Sequence, residues 1–90
     1  MTLQFRFQLD EAATQSGVSP DLILHFISLT WIKPLEGKIP LFDEEDIARI
    51  QLIGDLQDRM GVNDESVPVI MHLIDQLNRM HLELNKKGEP

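Results

Sequence analysis

Residues 42–61 read FDEEDIARIQLIGDLQDRMG, and this stretch decides the fold because a helix start, a helix stop and a periodic face are all written into it. Asp43 is a good N-cap with Asp46 three residues on, and Glu44 and Glu45 bring negative charge to the first turn, where unpaired backbone N–H groups attract it. Gly61 can supply a left-handed stop. Between these signals Ile47, Ile50, Ile53, Leu56 and Met60 recur at helical spacing, so one side of a long central helix is expected to be buried. The chain before it is expected to pack on one side and a helix after Ser66 on the other.

Ninety residues make one domain. A chain of this size buries only about 60–65% of the surface it exposes when unfolded, so a partner subunit would add needed stability. With no cysteine, neither a disulfide framework nor a thiolate metal site is available. The opening MTLQFRFQLD carries a charge inside its apolar part, and no apolar run approaches the roughly 20 residues that span a bilayer. A cytoplasmic protein without a membrane anchor is expected.

The net charge of −7 is unevenly placed. Residues 1–42 carry four acids and three bases, and residues 67–90 carry three of each. Residues 43–66 carry eight acids against only Arg49 and Arg59, so nearly all the excess lies on or beside the central helix. Such a surface repels phosphate backbones and favours a basic partner.

Upstream, Leu3, Phe5 and Phe7 alternate with Gln4, Arg6 and Gln8, the period of a short half-buried strand. From Leu9 to Ser16 the pattern turns helical around Ala12 and Ala13, and Gly17 ends it. Ser19 as N-cap and Pro20 at the first helical position open a second helix that runs to about Leu29. Gly17-Val18-Ser19 between them is the tight turn of a helix-turn-helix. WIKPLEGKIPLF, residues 31–42, has two apolar arms around Glu36-Gly37-Lys38 and reads as a small hairpin or wing, with Pro34 and Pro40 at edge positions.

After a connection at 62–65, a last helix is expected from about Ser66 to Asn85, with Pro68 in its first turn and Lys86 and Lys87 at the negative end of its dipole. Val67, Ile70, Leu73, Ile74, Leu77, Met80 and Leu84 cover about 140° of its circumference, wider than a two-helix seam requires. The helix therefore has room for its own domain and for a second subunit. Ile70, Leu73, Leu77, Met80 and Leu84 are the residues expected to make that dimer contact.

Competing readings narrow the site. The acids from Asp43 to Asp46 also serve capping and the helix dipole, which need no partner. Asp55 and Asp58 lie in the helix body, where the dipole does not explain them. Phe26 and Trp31 read as core. Gly54 in mid-helix costs about 1 kcal/mol relative to Ala, which suggests close approach of a neighbouring element. His72 and His81 are nine residues apart, on opposite faces of one helix, and His25 belongs to another element, so the histidines build no metal or catalytic site. No Gly-rich phosphate loop, nucleophile elbow or HExxH is present, and a non-enzymatic protein without a cofactor is expected.

The Gly17-Val18-Ser19 turn, the wing, and Phe42 to Ile53 through Leu56 to Met60-Gly61 together resemble the N-terminal domain of MerR-type transcription regulators over residues 5–62. Departures fall on the positions that meet DNA. Where such regulators usually read Ser-Val-Arg-Thr-Leu-Arg-Tyr-Tyr, this chain has Ser19, Pro20, Asp21, Leu22, Ile23, Leu24, His25 and Phe26, and both arginines are gone. The wing arginine of those regulators falls at Pro40, and the arginine pair of their central helix at Gly54 and Asp55. Phosphate contacts supply most non-specific affinity for DNA, and SPDLILHFISL offers none of the residues suited to base-edge readout.

A Phe-rich first strand, a second helix poor in basic residues, and a proline-led last helix with MHLIDQL at Met71 to Leu77 make nearly the whole chain similar to the chaperone-modulator family, CbpM. That resemblance implies a chaperone modulator that binds and inhibits the J-domain of a DnaJ-like co-chaperone of the curved-DNA-binding type, competing with Hsp70. The charge agrees, since J-domains present a basic helix to Hsp70 and an acidic helix can compete for it.

These readings predict a mainly α protein: a MerR-like winged helix-turn-helix of four helices with a small β hairpin or three-stranded sheet. Residues 1–62 form the winged unit and 63–90 the C-terminal dimerisation helix, within one domain overall. Asp43, Glu44, Asp55 and Asp58 are the expected partner-binding residues. A homodimer is expected and DNA is not the expected ligand. The alternatives are a MerR-type DNA-binding regulator and an adaptor with an unrelated basic partner.

Overall fold

A computed structural model describes residues 6–35 and 37–88 of the chain. Leu3 and Phe5 of the expected strand and Glu36 of its turn lie outside the described residues, as do the side chains of Lys86 and Lys87. Among the described residues the architecture is mainly α, with four helices in chain order: α1 (Leu9–Ser16), α2 (Pro20–Ser28), α3 (Glu44–Asp58) and α4 (Val67–Gly88).

Local chemistry sets most of the boundaries. The Gln8 N–H donates to the Glu11 carboxylate at 3.1 Å to start α1, and Gly17 ends it at φ 75°, where its N–H reaches the Ala13 carbonyl. The Ser19 hydroxyl accepts the Leu22 N–H at 3.2 Å, with Pro20 at the first helical position. At α3, the Asp43 carboxylate accepts the Asp46 N–H at 2.8 Å and Asp46 accepts the Asp43 N–H at 3.0 Å, a reciprocal cap.

The end of α3 differs from expectation. The helix stops at Asp58; Gly61 follows at φ 67°, and the Val62 N–H folds back to the Leu56 carbonyl at 3.0 Å. Met60 therefore lies past the last turn and is 71% exposed, so it does not continue the buried row of Ile47, Ile50, Ile53 and Leu56.

Among the described residues, the pairing in the region of the expected hairpin and first strand consists of two isolated antiparallel bridges, Phe7 with Phe42 and Leu35 with Leu41. Phe7 and Phe42 exchange both backbone hydrogen bonds at 2.8 Å. Pro34 and Pro40 lack the N–H groups that a longer ladder would use. The bridges still do positional work, because Phe42 is fully buried and ties the segment before α3 to the one before α1.

One core joins the elements: Ala12 from α1, Val18 from the turn, Ile23 and Phe26 from α2, Ile32 and Phe42 from the connecting segment, the α3 row, and Val67 and Met71 from α4. Gly54 sits where α3 meets the α1–α2 turn; a Cβ there would lie 2.7 Å from Val18 Cγ2. The close approach inferred for this glycine is thus real, and it fixes how near α3 lies to the turn. On α4 burial stops early. Val67 and Met71 are buried and Ile70 and Ile74 half-buried, but from Asp75 to Asn85 every residue is exposed. The radius of gyration is 14.7 Å against about 12 Å for a compact chain of this length, because α4 runs beyond the core. Among the described residues no helix is long and apolar enough to cross a membrane.

Candidate functional site

The site is built from α3 outward. At about 100° per residue, Glu44, Gln51, Asp55 and Asp58 fall within about 60° of one another, turned away from the buried Ile50 and Ile53, with Ile47 at the border of the arc. Glu44 and Asp58 are exposed and Asp55 half-buried, so three of the four expected partner-binding acids share one face about 21 Å long. Asp43 does not join them. Its carboxylate is occupied by the helix cap and by Arg6, whose Nη1 lies 3.9 Å away. Asp55 lies beside Arg59, whose Nε is 3.7 Å away and whose side chain is 77% exposed. Pairs so exposed contribute little stability, and Arg59 is held loosely enough to release Asp55 to another cation.

The capping carboxylate of Asp46 is of a different kind. Burial raises its pKa above the ordinary carboxylate value, and the nearby Asp43 charge adds to the rise, against the backbone hydrogen bond from Asp43. It serves the helix start.

The outward side of α2 carries Asp21, Leu24, His25 and Ser28, all exposed, over the buried Ile23 and Phe26. Leu24 is 45% exposed, an aliphatic group presented to solvent. No protein-family model matches this chain, and neither does any curated protein.

Two long-range contacts were invisible to sequence reasoning. His25 Nε2 lies 3.2 Å from Asp64 Oδ2, and Gln57 Nε2 donates to Asp64 Oδ1 at 2.6 Å, joining α2, α3 and the connection into α4. These hydrogen bonds, that from His25 first, lower the Asp64 pKa. Arg49 donates through Nε to the Trp31 carbonyl at 3.1 Å and through both terminal nitrogens to Asp75, at 3.3 and 3.4 Å. The planar fork of a guanidinium suits this two-point contact, which ties α3 to α4 past the end of the shared core. Separations of 39 and 26 residues leave no local signal for either pairing.

The expected dimer residues fall on a second face of α4. Leu73, Leu77, Met80 and Leu84 are 53%, 64%, 58% and 67% exposed, while Ile70 lies at the edge of the core. Their spacing from Ile70 is three, four, three, four, the a/d spacing of a coiled-coil seam. Among the described residues no group of three or more histidines and acids is placed to hold a metal ion.

Proposed function

We propose that this protein is a non-enzymatic chaperone modulator with a winged helix-turn-helix scaffold, which binds the J-domain of a DnaJ-like co-chaperone and keeps it from Hsp70. One observation carries the reading: the exposed face of α3 presents Glu44, Asp55 and Asp58, while α2 presents Asp21 and Leu24 where a MerR-type reader presents arginines. An acidic helix face attracts the basic helix of a J-domain over distance and repels a phosphate backbone. The exposed row on α4 supports a homodimer through Ile70, Leu73, Leu77, Met80 and Leu84, since an apolar strip of that length left in water is a contact surface.

Titrating a J-domain from the same cell against the wild type and against Asp55→Lys/Asp58→Lys tests the assignment. Weaker binding by the variant is expected, and its salt dependence should change as well. Equal affinities would remove both residues from the interface. Among the described residues, Lys33 and Lys38, exposed on the segment between α2 and α3, favour the DNA-binding alternative. Gel-shift titration across salt concentrations decides it: binding at moderate salt with a steep salt slope would replace the chaperone reading.

A further inference from the structure

Between α3 and the outer half of α4 runs an open cleft of about 840 Å³. Its apolar lining is Trp31, Ala48, Leu52, Met71, Ile74 and Leu82. Measured along α4, Met71 to Leu82 spans about 16 Å, or three turns of helix. Leu82 is 68% exposed and belongs to no contact described so far. At about 100° per residue it lies on the opposite side of α4 from the Leu73–Leu84 seam, so pairing of α4 with a second copy leaves the Leu82 side of the cleft open, with Ile74 and His81 between the two faces.

Charge restricts what can fill it. Glu45, Asp46 and Asp75 line the walls against Lys33 and Arg49, and Arg49 is already held by Asp75 and the Trp31 carbonyl. Glu44 and Asp55 stand on the adjoining face of α3, beside the exposed Ala48. With Asp46 in the helix cap and Asp75 on Arg49, Glu45 in the wall and Glu44 and Asp55 beside it are the carboxylates left to face a ligand. An apolar trough that they flank, with an indole in its wall, suits apolar side chains flanked by lysine or arginine. We propose that the α3–α4 cleft is the docking groove for one basic amphipathic helix of the partner protein. This rests on the reading that the partner is a basic helical protein, and it locates the apolar contact that acidic residues alone do not supply.

Trp31 is the single tryptophan, so its fluorescence reports on the cleft directly. The probe is a synthetic, tryptophan-free leucine–lysine peptide of about four helical turns with one apolar face, titrated into the full chain. Controls are a peptide of the same composition with the face scrambled and a leucine–glutamate counterpart. A saturable change with the basic amphipathic peptide alone is expected, weakened about tenfold or more by Ala48→Arg and by Leu82→Arg. Both positions are exposed, and circular dichroism checks that each variant keeps its helices. Leu77→Glu, on the seam, should retain the response. No saturable change, an equal response to the acidic peptide, or loss in Leu77→Glu with retention in the cleft variants would overturn the groove. A J-domain that does not bind while the peptide does would remove the co-chaperone reading and leave the groove standing.

Discussion

Trp31 packs against Phe26 with ring centroids 5.6 Å apart, and the same two residues are joined by a backbone hydrogen bond from the Trp31 N–H to the Phe26 carbonyl at 3.0 Å. The Thr30 N–H meanwhile donates to the Ile27 carbonyl at 2.9 Å. This pair of bonds is the Schellman ending of α2, with its usual hydrophobic contact made by two aromatic rings. Thr30 occupies the left-handed position at φ 61°, where glycine is normal and a β-branched residue is strained.

Thr30→Gly should therefore stabilise the protein. Left-handed backbone costs an L-residue about 1–2 kcal/mol. The extra unfolded-state freedom of glycine returns roughly half of that. A net gain of about 0.5–1 kcal/mol in urea unfolding is expected, with Trp31 emission unchanged in the folded state. A lower urea midpoint would show that Thr30 contributes more through its hydroxyl, which donates to the Leu29 carbonyl at 2.6 Å, than it costs in strain.

Gly54→Ala should act in the other direction, against helix propensity. Alanine is favoured over glycine in an exposed helix by about 1 kcal/mol, but here the new methyl would meet Val18 Cγ2 at 2.7 Å. Val18 is buried, and a β-branched side chain has little freedom to turn away. Overpacking of this kind costs about 1–3 kcal/mol, so net destabilisation is expected. Val18→Ala in the same chain should recover much of the loss. Additive effects in the double-mutant cycle would mean that the two sites do not touch.

What was legible in the residues was chemistry confined to a few neighbours. Asp43, Ser19-Pro20 and Gly17 mark helix ends because a cap is satisfied within four residues, and the structure has these ends where those residues stand. The end of α2 also falls where expected, with Leu29 as its C-cap, although Thr30 fills a glycine position and gives no warning of its left-handed backbone. Ile50 and Asp55 could be assigned to opposite sides of α3 by counting, because the helix period alone separates them. The sheet was legible only in part: alternation at Phe7 marks a strand free to join the wing, but the choice of Phe42 as its partner is made only when the segment before α3 folds against it. Nor could counting find the Arg49–Asp75 tie, which exists only once α4 has docked.

The two shifted carboxylates should respond to pH with opposite signs. Asp64 has a folded pKa below its ordinary 3.8, so its contribution is present above that value and is lost as pH falls through the folded pKa. Asp64→Ala should lower the urea midpoint at neutral pH and lose its effect in acid. Asp46 has a folded pKa above 3.8, so its ionised form weighs against folding once pH rises through the folded value. Asp46→Asn keeps an oxygen to accept the Asp43 N–H and should be neutral or stabilising at neutral pH, with the difference vanishing below the ordinary carboxylate range. Asp43→Ala, which removes the cap itself, should cost about 1 kcal/mol. Parallel pH profiles for the Asp64 and Asp46 variants would contradict the assignment of burial to one and hydrogen bonding to the other.

The α4 seam makes the strongest demand on solution behaviour. Leu77 is the midpoint of the Ile70–Leu84 row, so Leu77→Glu places a charge at the centre of any symmetric pairing. Sedimentation should show the wild type as a dimer whose melting temperature rises with concentration, and the variant as a monomer whose melting temperature does not. Charge also selects the orientation. Antiparallel packing sets opposite helix dipoles side by side, the N-terminal end of one α4 against the C-terminal end of the other. With no native cysteine to interfere, Ile70→Cys/Leu84→Cys should cross-link between copies, whereas Leu84→Cys alone should not. Efficient cross-linking by Leu84→Cys alone would mean that the helices run parallel, and an unchanged mass for Leu77→Glu would mean that this face is not where two copies meet.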